Sequence, residues 1–67
     1  MTEQQIVFQR GPFTVRKING VKGFEIYYEW GVAANRVARI GYEGHVGIAK
    51  AKFEIERRIR ANPRLDC

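Results

Sequence analysis

The chain carries one cysteine, one histidine, two prolines and no serine in 67 residues. Each scarcity excludes something. A lone Cys67 cannot close an internal disulfide, and one His with one Cys cannot make up the ligand set of a structural zinc site. Without serine, and with its only thiol at the end of the chain, a nucleophile–base pair around His45 is hard to build. His45, between Gly44 and Val46, reads as a loop or helix-start residue. No catalytic residue, metal ligand or cofactor is therefore assigned, and an enzyme is not expected. No apolar run approaches about 18 residues, so no membrane span is expected. Nothing resembles a signal peptide. With a single thiol, the cytoplasm is the expected location.

What the chain does have is positive charge. Twelve Lys and Arg against seven Asp and Glu give a net charge of +5 and a pI near 9.9. Such an excess suits an anionic partner, either duplex DNA or an acidic protein surface. Plain solubility is the competing explanation. Sixty-seven residues make one domain. A domain this small buries only about 60% of its unfolded surface, so its core must be used well.

The strongest local signal is Asn19-Gly20 between Ile18 and Val21. Asn-Gly suits a two-residue type I′ hairpin loop. That turn predicts a register in which Val15 faces Phe24, Thr14 faces Glu25 and Phe13 faces Ile26. One face then carries Phe13, Val15, Phe24, Ile26 and Tyr28 as core. The other carries Thr14, Arg16, Glu25, Tyr27 and Glu29 toward solvent. Residues 31–35 hold small, turn-prone types and read as a loop. Residues 36–42 read as a third strand, with Ala38 and Ile40 inward and Val37 and Arg39 outward.

Ile48, Ala51, Ile55 and Ile59 recur at spacings of three and four, which predicts a helix over 46–61. Asn62-Pro63 stops it. Glu54–Arg58 and Glu56–Arg60 stand at i,i+4 in the favourable order. The expected fold is α+β, a three-stranded antiparallel sheet with one C-terminal helix on one face (β-β-β-α). Residues 1–11 form an N-terminal arm or a short extra strand, the arm being favoured. Residues 12–42 form the sheet, 46–61 the helix and 62–67 a loose tail. Val46, Ala49 and Phe53 lie opposite the isoleucine stripe. Cover by the arm at Ile6–Phe8 is the first expectation, a homodimer through this stripe the second, and a simply exposed aromatic the third.

The solvated sheet face supplies candidate nucleic-acid contacts. Arg16 and Arg39 could reach bases or phosphates, Tyr27 could stack or bond a phosphate, and Arg36 near the edge could hold a phosphate, while Lys17 and Lys22, at the turn end of the core face, could straddle the backbone from the hairpin tip. Glu25 and Glu29 stand centrally on that face and point equally to ion pairing with Arg16. The alternative is a non-enzymatic module that binds a protein through Ile18, Val21, Tyr27 and Phe53.

The run Arg36-Val37-Ala38-Arg39-Ile40-Gly41-Tyr42-Glu43, followed by Ala49-Lys50-Ala51, resembles the third strand and Ala-rich helix of AP2/ERF DNA-binding domains. The element order is also similar to the sheet domains at the N-termini of some phage and transposon integrases. The resemblance covers 13–59 by topology and a handful of residues by motif. It implies a sheet laid on the major groove, with Arg16, Arg36 and Arg39 as DNA contacts. Size, single domain and basic balance look like small phage or mobile-element accessory proteins. Some of these bind DNA, and others inhibit or modulate a bacterial host protein, as anti-CRISPR proteins do.

Overall fold

The computed structural model describes residues 4–66, with side chains for 4–64. Cys67, expected in a loose tail, lies outside the described residues. Four strands run in an unbroken meander, β1 (Gln4–Arg10), β2 (Phe13–Ile18), β3 (Phe24–Trp30) and β4 (Ala33–Ile40), paired in the order β1-β2-β3-β4. Helix α1 (Gly44–Ala61) then crosses one face, and a short 3-10 turn spans Pro63–Asp66. The class is α+β with an antiparallel sheet and one C-terminal helix, but the sheet has four strands rather than three. Gln4–Arg10 is a full strand on β2 rather than an arm.

Two glycine turns explain the added strand length. Gly11 (φ 55°) with Pro12 joins β1 to β2, and Gly31 (φ 61°) with Val32 joins β3 to β4. Glycine at positive φ in the first of two central positions is the II′ pattern that matches sheet twist. The third predicted strand is thus β4. It begins at Ala33, inside the segment read as a loop, and ends at Ile40 rather than Tyr42.

The Asn19-Gly20 hairpin forms, but not with the I′ loop. Only Gly20 takes positive φ (83°), and Val21 N–H donates to Ile18 O at 3.1 Å. The loop then widens through Gly23, because its carbonyls wrap the Lys17 ammonium. Lys17 Nζ donates to Val21 O (2.5 Å), to Gly23 O (3.2 Å) and to Glu43 Oε1 (2.8 Å). Val15 consequently pairs with Ile26 and Thr14 with Tyr27, two positions from the expected partners. An even shift preserves side-chain parity, so the expected core face survives.

That core is Phe13, Val15, Phe24 and Ile26 of the sheet against Ala51, Ile55 and Ile59 of α1, with Ile48 half-buried beside them. Tyr28 meets Phe13 edge-on, ring centroids 5.2 Å apart. Val37, expected outward, packs against this core. It is the extra residue of a bulge in β4: Ile26 pairs with Ala38 but Tyr27 with Arg36. β1 bulges likewise between Ile6 and Phe8, which turns Phe8 onto the core.

Glu43 precedes α1 and ties it to the sheet. Its Oε1 also accepts from Gly23 N–H at 2.8 Å. The Lys17 ammonium first, and then this amide, hold the Glu43 carboxyl below its ordinary 4.5. The unfolded chain protonates at the higher value, so the stabilisation is complete above about pH 4.5 and disappears as pH falls through the lower folded value. Glu43→Gln should therefore flatten the acid limb of a urea-stability profile measured from pH 6 to pH 2. A limb of unchanged steepness would remove Glu43 from that role.

Candidate nucleic-acid interface

The face of the sheet away from α1 is open. Arg16, Tyr27, Arg36 and Arg39 lie together on it, across from Glu25 and Glu29. Regular pleating would place Arg36 and Arg39, three residues apart, on opposite faces. The β4 bulge at Val37 brings both to the open side, since Arg39 pairs with Glu25 and Arg36 with Tyr27. Bulges re-aim side chains in this way.

The four residues differ in what they have left to offer. Arg16 is committed in every direction: Nη2 donates to Glu29 Oε1 (2.6 Å), Nη1 to Gln4 Oε1 (3.0 Å) and Nε to Thr14 Oγ1 (3.4 Å). Its guanidinium lies 4.3 Å from the centroid of the Tyr27 ring, and 19% of its side chain is exposed. Tyr27 OH donates to Glu25 Oε1 at 3.2 Å. This flat layer of long side chains buries Thr14 and Glu25, 1% and 8% exposed, on a face that no other described element covers.

Arg36 Nη1 also donates to Glu25, through Oε2 at 2.8 Å, yet 57% of the Arg36 side chain stays in water. The hydrogen bond that Arg36 donates to Glu25, then the charge of that carboxylate, raises the Arg36 pKa further, so this cation is permanent. Arg39 is exposed and among the described residues hydrogen-bonds the Lys22 carbonyl alone, at 3.4 Å. Arg39 and Arg36 thus follow one another along the β4 side of the open face, with the backbone carbonyl of Lys22 bonded to Arg39 at the hairpin end. Lys17 does not join them, being drawn to Glu43 on the helix side.

The division has a measurable consequence. Arg16→Ala should lower stability by about 2 kcal/mol, because it leaves Glu29 without its charged partner. Urea unfolding at neutral pH checks this, and a change below about 0.5 kcal/mol would show that the pair contributes nothing. Sequence reasoning placed Arg16 with the DNA contacts. The signal that separates it from Arg36 is its central strand, where neighbours on both sides supply acceptors.

The residues expected to dock a protein scatter. Ile18 is half-buried, Val21 is exposed at the hairpin end, Tyr27 sits beneath Arg16 and Phe53 is on the far side of α1. Val46 and Phe53 are 56% and 67% exposed, so β1 does not cover them as the expected arm would have. Trp30 and Val32 are exposed at the β3–β4 turn. Among the described residues no cluster of three or more His, Cys, Asp or Glu could hold a metal. No helix among them is long and apolar enough to cross a membrane.

These features define a class: a small α+β module, a four-stranded antiparallel meander with one face under a helix and the other bare. The chain matches no protein-family model, no curated protein and no solved structure.

Proposed function

We propose that the protein is a small DNA-binding module that lays the helix-free face of its sheet on duplex DNA. The observation that carries this reading is the β4 bulge at Val37, which collects Arg36 and Arg39 on the open face. Lys22, exposed at the hairpin end, is the third cation of the reading. Because Arg36 and Arg39 stand opposite Tyr27 and Glu25, two residues apart on β3, they are separated by roughly 7 Å at about 3.3 Å per strand residue, which lets each meet its own phosphate. Glu25 and Glu29 stay on that face but are engaged by Arg36, Tyr27 and Arg16. They hold the arginines in place as well as reducing the local positive charge.

The contact set is Lys22, Arg36 and Arg39, with Arg16 and Tyr27 as the layer beneath. Such contacts address the backbone and position the protein without reading sequence. The AP2/ERF and integrase resemblance implies the same face. The added strand β1 lies at the opposite edge from β4, so it leaves the basic line clear.

A mobility-shift titration with random duplex DNA at 50 and 200 mM salt tests the reading. Three phosphate contacts give a slope of about −2.7 in log K against log salt, a loss of roughly fortyfold between the two conditions. No retardation at 50 mM salt, or an affinity indifferent to salt, would reject it.

A further inference from the structure

The outer side of α1 presents a second surface, independent of the sheet face. At 100° per residue, Val46, Ala49 and Phe53 fall within a narrow arc opposite Ala51 and Ile55. Val46 and Phe53 are mostly exposed, whereas Ala51, Ile55 and Ile59 of α1 are buried. Beside this ridge, between α1 and the end of β4, lies an open groove of about 400 Å³ lined by Ile40, Ala49, Lys50, Phe53 and Glu54.

The charges around the ridge say what fits there. Glu54 is held by Arg57 (2.7 Å) and lies 3.3 Å from Arg58 Nε, an ion pair without hydrogen-bond alignment. Glu56 is held by Arg10 at 3.0 Å, with Arg60 at 3.9 Å. Lys50 and Lys52 have no carboxylate partner among the described residues. Each rests its ammonium over a ring instead, Lys50 over Tyr42 at 4.7 Å and Lys52 over Phe8 at 4.9 Å from the centroid. The ridge is therefore bracketed by two lysines whose charge no side chain among the described residues neutralises, while both helix carboxylates are already taken.

A second copy of the chain is a poor occupant. It would bring Lys50 and Lys52 toward their own like charges. A standard interface also needs about 800 Å² from each partner, roughly a sixth of this protein's 4839 Å² surface, and three side chains fall well short of that. We infer that this ridge docks an acidic, amphipathic segment of another protein. An apolar side chain of that segment seats beside Phe53 in the groove, and carboxylates on either side of it meet Lys50 and Lys52. Apolar contact supplies the affinity, and charge selects the partner and speeds encounter.

The probe is a display library of random dodecapeptides panned on the whole protein at 150 mM salt. Recovered sequences should combine Asp or Glu with Leu, Phe or Trp. A synthetic peptide of the consensus should shift the amide resonances of Ile40, Ala49, Lys50 and Phe53. Phe53→Ser and the pair Lys50→Glu with Lys52→Glu should each weaken that peptide at least tenfold. All three substituted positions are exposed, so the far-ultraviolet spectrum should stay unchanged. Mobility-shift behaviour with DNA should be unaffected by Phe53→Ser, which separates this surface from the sheet face. Recovery of no peptide, of neutral or basic peptides, or of peptides that Phe53→Ser binds equally well overturns the inference. So does a concentration-dependent dimer in sedimentation that Phe53→Ser abolishes.

Discussion

Arg36→Ala combined with Arg39→Ala should remove most of the salt-dependent affinity for duplex DNA. With Lys22 as the remaining contact, the slope of log K against log salt falls from about −2.7 to about −0.9, and the loss between 50 and 200 mM shrinks from roughly fortyfold to three- or fourfold. Arg39 reaches a backbone carbonyl, but Arg36 is the charged partner of the buried Glu25. The variant should therefore lose about 1–3 kcal/mol through Glu25, so binding is compared on samples that circular dichroism shows to be folded. Arg16→Ala should lower stability too, but leave the slope near −2.7. Glu25→Gln sharpens the test, since the amide can still accept from Arg36 while one negative charge leaves the face. Its affinity for DNA should rise. If Arg36→Ala with Arg39→Ala leaves the slope untouched, the sheet face is not the DNA surface.

Gly47→Ala should destabilise the protein, against what helix propensity says. In a helix interior alanine is favoured over glycine by about 1 kcal/mol, and Gly47 lies in the first turns of α1. The fold reverses the sign. A Cβ at Gly47 would overlap the carbonyl oxygen of Tyr42 and come within 2.5 Å of a Phe24 ring carbon. Phe24 is itself buried against the helix and cannot swing aside. Relieving the overlap means lifting the start of α1 from the sheet and stretching the Glu43 bonds to Lys17 and Gly23. Overpacking of this kind costs about 1–3 kcal/mol. At a net loss of about 2 kcal/mol, the melting midpoint should fall by about 8–16 °C for a domain of this size. Gly41→Ala is the control, because nothing stands within 4 Å of a Cβ there and its backbone is not in the left-handed region. Thermal circular dichroism on both variants decides it. A Gly47→Ala midpoint at or above wild type would mean that the helix does not approach the sheet this closely.

Much of this architecture can be read from the residues alone. The isoleucine spacing marks α1 and the face it buries, and Asn62-Pro63 marks its end. The alternation in 13–17 and 24–28 marks which side of each central strand faces the core. That assignment tolerates an error of two in register, because pleating repeats every two residues. The i,i+4 pairs of α1 are also local, and Glu54–Arg58 and Glu56–Arg60 form within 4 Å. The β1 strand and the start of β4 were less legible. Ala33-Ala34-Asn35 has little strand preference of its own. Its conformation comes from Trp30, Glu29 and Tyr28 across the Gly31-Val32 turn.

What the sequence determined by itself is the local and periodic: one C-terminal helix, an antiparallel sheet, the apolar face of each and a surplus of positive charge. The tertiary structure decided what depends on distant partners. Lys17, on the helix side by pleating, is withdrawn from any anionic partner because Glu43, 26 residues away, binds its ammonium there. Arg16 is spent because Glu29 and Gln4 reach it from β3 and β1. Arg36 and Arg39 share a face only because β4 gains one residue against β3. Periodicity reports how a segment would lie if it were regular, whereas a bulge and an ion pair are set by what packs beside it.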